Sequence, residues 1–325
     1  MLLAIFLFIV GLVFLIKGGD IFVDSACKIA HKFHIPEIII GATIVSIGTT
    51  LPEVMVSATS AISGHGEMAY GNAIGSIICN TSLIAALTIA IRPTKVNKNS
   101  LVIPSIFFFV SAIFYALISY AFGRFTRVTG IILLALFFIY MFTTIKTTKK
   151  EEIKEEEVKE NSEVEAKKDK TIIDFVLLVV GAALIAFGAN LLVDNGTIIA
   201  KGLGVPESVI ALTFVALGTS LPELITAINS LVKGHSSLSL GNIIGANLFN
   251  LVLVSSVSII LSPFALPTNK TVLGVNSTLL IDVPLMIIVM LILVIPPLIK
   301  GKLYRFQGIL LLLIYASFCV FQFVI

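Results

Sequence analysis

The chain has 325 residues, 57% of them hydrophobic and only 13% charged, with a mean hydropathy of +1.07. A soluble domain carries about 25% charged residues, so a water-soluble globular class is excluded and a membrane-embedded helical protein is implied. The formal net charge of +3 is dispersed along the chain and gives no basic surface for nucleic acid.

About 20 apolar residues are needed to cross the hydrocarbon core as a helix. Windows of that length give ten spans, at 2–23, 36–62, 70–91, 101–121, 128–146, 171–194, 206–232, 239–262, 275–297 and 304–324. The first could be mistaken for a signal peptide, but it lacks a basic n-region and a convincing cleavage site. It is therefore read as a retained span. The second and seventh carry Gly-Thr and Pro in mid-span, which predicts broken helices. The third and eighth are the least apolar and contain several Gly and Asn. Between the fifth and sixth, residues 147–170 hold nine acidic residues and seven lysines. That segment reads as a charged linker, either a short helix or a disordered stretch, without EF-hand spacing.

Lys and Arg concentrate in loops on the cytoplasmic side of a bilayer. With the N-terminus outside, 17 of the 22 basic residues fall in cytoplasmic loops and 4 on the opposite side. Both termini are therefore expected outside. Cys27, Cys79 and Cys319 have neither metal-ligand nor paired spacing and read as small apolar fillers without a disulfide. His31, His34, His65 and His235 all fall near predicted loops, which argues against a histidine-based metal centre or proton relay within the membrane.

Shifted by 170 residues, the sequence lies on itself. GATIVSIGTTLPEVMVSA (41–58) falls on ALTFVALGTSLPELITAI (211–228), and GNAIGSIICN (71–80) on GNIIGANLFN (241–250). Fifteen of forty positions in 41–80 are identical, among them Thr43/Thr213, Gly48/Gly218, Pro52/Pro222, Glu53/Glu223, Asn72/Asn242 and Asn80/Asn250. Gly18/Gly188, Asp24/Asp194 and Pro36/Pro206 coincide outside that block. Each half holds five spans, an odd number, so the second half enters the membrane from the opposite side. The expected fold is an all-α membrane protein of ten transmembrane helices in two inverted five-helix repeats. Its parts are 1–146, a cytoplasmic linker 147–170 and 171–325. Inverted repeats with a midplane site between broken helices are a common construction of secondary transporters.

Ten acidic residues lie outside the linker, and of these Glu53 and Glu223 fall in mid-span at repeat-related positions. A carboxylate at bilayer depth is costly and usually functional. Two facing each other can neutralise one divalent or two monovalent cations. Pro52 and Pro222 lack an N–H and leave carbonyls near 48–49 and 218–219 without helical partners. Those carbonyls, the hydroxyls of Thr49, Thr50, Thr219, Ser220 and Ser76, and the amides of Asn80 and Asn250 are all oxygen ligands, which favours hard cations over zinc or copper. A capping role for one Pro-Glu pair is a competing reading, and symmetry of the two copies argues against it. Gly71, Gly75, Gly241 and Gly245 read as close-packing positions. Asp20, Asp24 and Asp194 read as interfacial caps, and Asp282 has no acidic repeat mate.

At GTTLPE (48–53), GSIICN (75–80), GTSLPE (218–223) and GANLFN (245–250) the sequence resembles the cation/Ca²⁺ antiporter superfamily, specifically the prokaryotic sodium/calcium exchangers. The resemblance covers nearly the whole chain. It implies a plasma-membrane antiporter, not an enzyme, with Ca²⁺ and Na⁺ as transported substrates and no cofactor. Its surroundings would be membrane lipid, and it would act as a monomer. Glu53 and Glu223 would bind Ca²⁺ and share in Na⁺ binding, with the carbonyls of Thr49 and Thr219 completing the Ca²⁺ site. Ser46, Thr50, Ser76, Ala216 and Ser220 would surround flanking Na⁺ sites, with Asn80 and Asn250 at the centre. Ala246 stands where many relatives have Ser, which weakens one flanking site. Asn250 stands where K⁺-dependent relatives carry Asp, so it leans towards K⁺ independence. The second-segment Glu of proton-coupled exchangers is absent, since Gly75 and Gly245 occupy that place. The remaining alternatives are H⁺/Ca²⁺ exchange, K⁺-dependent exchange and a Ca²⁺ channel. An intramembrane protease lacks the Asp pair or Ser/His dyad it needs. The near-uniform apolar character of the first and sixth spans suits sliding against the other eight.

Overall fold

A computed structural model of the chain describes residues 2–156, 168–203, 218–268, 271–272 and 274–324. Among the described residues, nine helices are long and apolar enough to cross a bilayer, and a tenth is shorter. In chain order they are α1 (Leu2–Lys32), α2 (Glu37–Ile62), α3 (Gly66–Ile91), α4 (Lys98–Phe122) and α5 (Arg127–Glu156). Then follow α6 (Lys168–Gly202), the short α7 (Leu221–Val232), α8 (Ser236–Leu261), α9 (Thr278–Lys300) and α10 (Arg305–Val324). A two-stranded hairpin, β1 (Thr271–Val272) with β2 (Val275–Asn276), sits between α8 and α9.

Burial orders these helices. In its most apolar window α8 is 83% buried, against 28% for α1 and α6 and 17% for α10. The eighth helix is therefore the axis of the bundle, and the other three lie at its rim. On α1 the residues Leu2, Phe6, Ile9, Val13 and Ile16 are all exposed, an apolar face suited to lipid and not to water.

Most spans match the sequence reading within a few residues, but α1, α5 and α6 each overrun it by more than two turns, and residues 206–217 of the seventh expected span lie outside the described residues. The polar residues at 17–24 do not end the helix or cap it. Lys233, just beyond α7, donates from Nζ to Asp24 Oδ1 at 2.7 Å and pairs with Asp20 Oδ1 at 3.3 Å. These aspartates are helix-interior partners of a cation on a neighbouring element. The linker is helical at both described ends, through Glu156 and from Lys168.

Backbones approach closely at several glycines, including Gly308 of α10 against Ala86 and Ala90 of α3. α1 and α6 cross antiparallel. A Cβ on Gly11 would lie 2.9 Å from the Gly188 carbonyl oxygen, and one on Gly18 would lie 3.0 Å from that of Gly181. Gly11 and Gly181 are repeat mates, as are Gly18 and Gly188, so each glycine of one half packs on the other's counterpart. The first half of α2 lies against α8 in the same manner. A Cβ on Gly241 would meet the Ile38 carbonyl oxygen at 2.2 Å, and one on Gly245 would meet Ala42 Cα at 2.6 Å. Around Gly71 and Gly75 no atom of the described residues lies within 4 Å of an added Cβ. Their repeat-related neighbours would fall in 204–217, outside the described residues.

The loops repeat this exchange. Val96 N donates to Gly301 O and Leu303 N to Thr94 O, both at 2.9 Å. Leu266 N donates to Gly123 O at 2.9 Å and Phe125 N to Phe264 O at 2.8 Å, which is the same pair of bonds with the halves swapped. The offset is not constant, however. Gly123 and Gly301, which close α4 and α9 with positive φ, are 178 residues apart. The hairpin between α8 and α9 takes up the difference from 170.

Gly245→Val is expected to cost about 1–3 kcal/mol or more through overpacking against α2, and to lower the thermal unfolding midpoint in detergent. Gly48→Ala, whose added methyl would make only an ordinary 3.4 Å contact with Phe22, should leave that midpoint within error.

Candidate cation site

Three π-helical segments shape the centre of the molecule. One runs Gly41–Val45 in α2, one Asn80–Ala85 in α3, and one Asn250–Val254 in α8. Such wide turns displace carbonyls from their helical partners and are frequent at functional sites. Other groups meet those carbonyls here. The Ser46 hydroxyl donates to Gly41 O at 2.6 Å, the Tyr140 hydroxyl of α5 to Ala42 O at 2.8 Å, and the Ser255 hydroxyl to Asn250 O at 3.0 Å. Asn80 and Asn250, each the first residue of its π segment, are repeat mates.

The two Pro-Glu segments differ in local structure. The second span was expected to break, but α2 continues through Pro52 to Ile62. Its irregularity falls two turns earlier, in the π segment, where Tyr140 and Ser46 hold the displaced carbonyls and let the helix resume. In the second copy Thr219 and Ser220 are in turn conformation and α7 starts at Leu221. Pro222 then lies in the first turn, where its missing N–H costs no helical bond.

Glu53 and Glu223 are both fully buried and lie within electrostatic range of each other. The hydroxyls of Thr49 and Thr50 lie beside the Glu223 carboxylate, but no bond of proper hydrogen-bond geometry reaches either carboxylate. Thr50, Ser220, Asn80 and Asn250 are also buried and unpaired at their side-chain polar atoms. Together these six side chains present eight unpaired oxygens. Each buried orphan costs about 1–3 kcal/mol, and native structures hold few of them. A concentration of oxygens around two carboxylates fits a hard cation, which takes about 6–8 oxygen ligands.

The other expected residues are placed as follows. Ser76 is buried one helical turn before Asn80, and Ala246 one turn before Asn250, where it offers no oxygen. Ser46, Thr49 and Thr219 have committed hydroxyls. Ser46 donates also to Asn242 O at 3.0 Å, Thr49 to Asn242 Oδ1 at 3.2 Å, and Thr219 to Asn72 Oδ1 at 3.2 Å. Their side chains position the backbone, and the threonine carbonyls are the better candidates for coordination. Ala216 lies outside the described residues.

Asn72 and Asn242 are functional candidates that the sequence reading passed over. Asn72 also donates from Nδ2 to Glu53 O at 3.2 Å and to Ser57 Oγ at 2.8 Å. Each Asn thus grips the Thr of the opposite half's Gly-Thr segment. The available signal was an Asn identical between repeats in an apolar span, where an amide without a task is expensive.

A bundle of membrane-length helices closing around buried, unpaired acidic oxygens defines a class, the multi-pass membrane transporters of cations. The chain belongs within that class to the sodium/calcium exchanger protein family, whose model matches residues 3–146 and 173–324. It is 30% identical to the sodium/calcium exchanger MaX1 of Methanosarcina acetivorans, over 98% of this chain and 97% of that one. It is 34% identical to the inner membrane protein YrbG of Escherichia coli K12, over 81% of each. Among solved structures it resembles the sodium-calcium exchanger NCX_Mj soaked with 10 mM Na⁺ and zero Ca²⁺. The TM-score is 0.81 and the identity 31%, over 97% of each chain. The family is one of antiporters and not of enzymes, and the chain is a multi-pass membrane protein.

Asn72→Ala and Asn242→Ala are expected to weaken Ca²⁺ affinity about 10–100-fold, the usual cost of losing a ligand-orienting partner. Isothermal titration calorimetry with Ca²⁺ would measure this. A purely structural role would instead lower the unfolding midpoint and leave the affinity of the folded fraction unchanged.

Proposed function

We propose that this protein exchanges Na⁺ for Ca²⁺ across the plasma membrane by alternating access at the Glu53–Glu223 site. The observation that carries the reading is a set of eight buried, unpaired oxygens, four on the carboxylates of Glu53 and Glu223 and four on Thr50, Ser220, Asn80 and Asn250, in a chain of this family. The two carboxylates need a total of two positive charges, which one Ca²⁺ or two Na⁺ supply. Each ion therefore displaces the other. Glu53 and Glu223 would ligate Ca²⁺ with the carbonyls of Thr49 and Thr219. Thr50, Ser220, Ser76, Ser46 and Ala216 would flank them at the Na⁺ sites, with Asn80 and Asn250 between. Ala246 makes one flanking site poorer in oxygen than the other.

The architecture in this reading is two inverted five-helix halves, 1–146 and 171–325, joined by a cytoplasmic linker, with both termini outside. The antiparallel α1–α6 crossing and the swapped loop bonds support inversion. The Lys and Arg distribution supports the orientation. The pair α1–α6 would slide against the remainder while the protein works as a monomer. In support, an open apolar cavity of about 590 Å³ borders the pair on the α2 side, lined by Phe22, Leu178 and Ala182 with Gly48 and Pro52, while α1 packs on Ile40 and Val45 of α2 beside it.

A second reading is H⁺/Ca²⁺ exchange, because unpaired carboxylates accept protons as well as metal ions. Radiolabelled Ca²⁺ uptake into proteoliposomes separates the two. An outward Na⁺ gradient at equal pH is expected to drive uptake, and a pH gradient without Na⁺ is not. Glu53→Gln and Glu223→Gln are each expected to reduce Na⁺-driven uptake to the level of empty vesicles. Full activity in both would remove these residues from the site.

A further inference from the structure

A second constellation of ligand-type side chains lies outside the central site. Cys27 of α1, Glu37 in the first turn of α2 and His235 in the turn before α8 bring one ligand atom each to within 4.8 Å of one another. His235 Nδ1 is 2.8 Å from Glu37 Oε1, and His31 Nε2, also from α1, is 3.8 Å from the same oxygen. Cys27 is buried behind them. A cavity of about 430 Å³, lined by His31, His34, Pro36, Glu37 and Ser237, reaches the cluster from outside. The four ligand-type residues come from three separate elements, so their convergence is a product of the fold and not of sequence spacing.

The chemistry differs from that of the central site. A thiolate, one or two imidazoles and a carboxylate form a borderline-to-soft donor set, which binds Zn²⁺-class ions and is poor for Na⁺ or Ca²⁺. Zinc bonds of about 2.0–2.3 Å place tetrahedral ligand atoms roughly 3.3–3.8 Å apart. For Cys27, Glu37 and His235 the 4.8 Å spread closes with side-chain shifts of about 1 Å, and His31, with Nε2 3.8 Å from Glu37 Oε1, swings in from the same side. On binding, the Cys27 thiol releases its proton to solvent, and thiolate plus carboxylate balance the dication. The repeat-related positions are Thr197, Glu207 and His65, which lack a thiol, so pseudo-symmetry does not account for the cluster.

We propose that Cys27, Glu37 and His235, with His31 as the fourth ligand, form a Zn²⁺-class site that pins α1 to α2 and to the α7–α8 turn. The same end of α1 is already tied to that turn by the Lys233 pairs with Asp20 and Asp24. Those pairs are partly exposed and exchangeable, whereas a bridging metal is held far more tightly. Pinning arrests transport if α1 moves during the cycle. That consequence rests on the antiport reading above, while metal binding does not.

The test uses the full chain, purified in detergent and titrated with Co²⁺ as a spectroscopic probe. One equivalent is expected to give a near-ultraviolet thiolate-to-Co²⁺ absorption band that Zn²⁺ abolishes by displacement. Cys27→Ser should lose the band, and His235→Ala should keep a band but bind more than about tenfold more weakly. Glu53→Gln should be unchanged. Unfolding midpoints identify any variant that has failed to fold. A missing band in the folded wild type, or an equal band in Cys27→Ser, overturns the site. With Zn²⁺ on both faces of proteoliposomes, Na⁺-driven Ca²⁺ uptake should stop in the wild type and persist in Cys27→Ser. Equal sensitivity of the two overturns pinning. If Na⁺ does not drive uptake at all, the antiport reading fails, and the absorption band still decides the metal site.

Discussion

Two carboxylates held at the core of a membrane bundle, each without a hydrogen-bond partner, are the constraint around which the molecule is arranged. Isolated buried charge is prohibitive, so Glu53 and Glu223 must be neutralised, by protons or, in the function proposed above, by a cation that neighbouring oxygens help to hold. The π segments beginning at Asn80 and Asn250, the prolines beside each Glu and the threonines preceding them bring oxygens to one region. The most buried helix, α8, supplies Asn250 and also Asn242, which holds Thr49. Glycine makes this possible, since Gly241 and Gly245 let α2 approach α8 at backbone contact distance. A bulkier residue there would move the Gly-Thr segment away from its partners.

Bonds exchanged between halves hold the arrangement together. Thr49 to Asn242 and Thr219 to Asn72 are one interaction made twice at the same 3.2 Å. The Gly11–Gly188 and Gly18–Gly181 contacts and the swapped loop bonds repeat the exchange at the periphery. Neither half could therefore form its part of the site alone. The symmetry is incomplete beside the candidate site itself. α2 runs through its proline while α7 begins at its own, and Ser76 answers to Ala246. Asn247, whose repeat mate is Ile77, ties α8 to Thr81 of α3 and Met290 of α9.

The α1–α6 pair is bound differently from the rest. Its two helices are interlocked with each other, present apolar surface outward and border a cavity on the α2 side. At one end α1 carries Asp20, Asp24, Cys27 and His31 to meet Lys233, Glu37 and His235. Among the described residues, α1 thus meets Lys233, Glu37 and His235 at one end, where a small ligand can control the contact.

The sequence by itself determined the number and order of helices, the duplicated Pro-Glu segments and the identity of the acidic pair. These signals are local and strong: a long apolar run forces a helix in a bilayer, and a carboxylate within such a run stands out. The offset of 170 was legible only until the hairpin after α8, because weakly patterned apolar helices carry no register. Tertiary structure alone decided that α2 stays continuous, since the Tyr140 hydroxyl that stabilises its π segment comes from α5, 98 residues away. It decided that Asn72 and Asn242 serve the opposite half and that Asp20 and Asp24 pair with Lys233. It also brought Cys27, Glu37 and His235 together, from positions whose spacing carries no metal signature. Each of these depends on which side chains meet across helices: close-packing glycines such as Gly241 and Gly245 are legible along the chain, but the side chains that their packing brings together are set only by the fold.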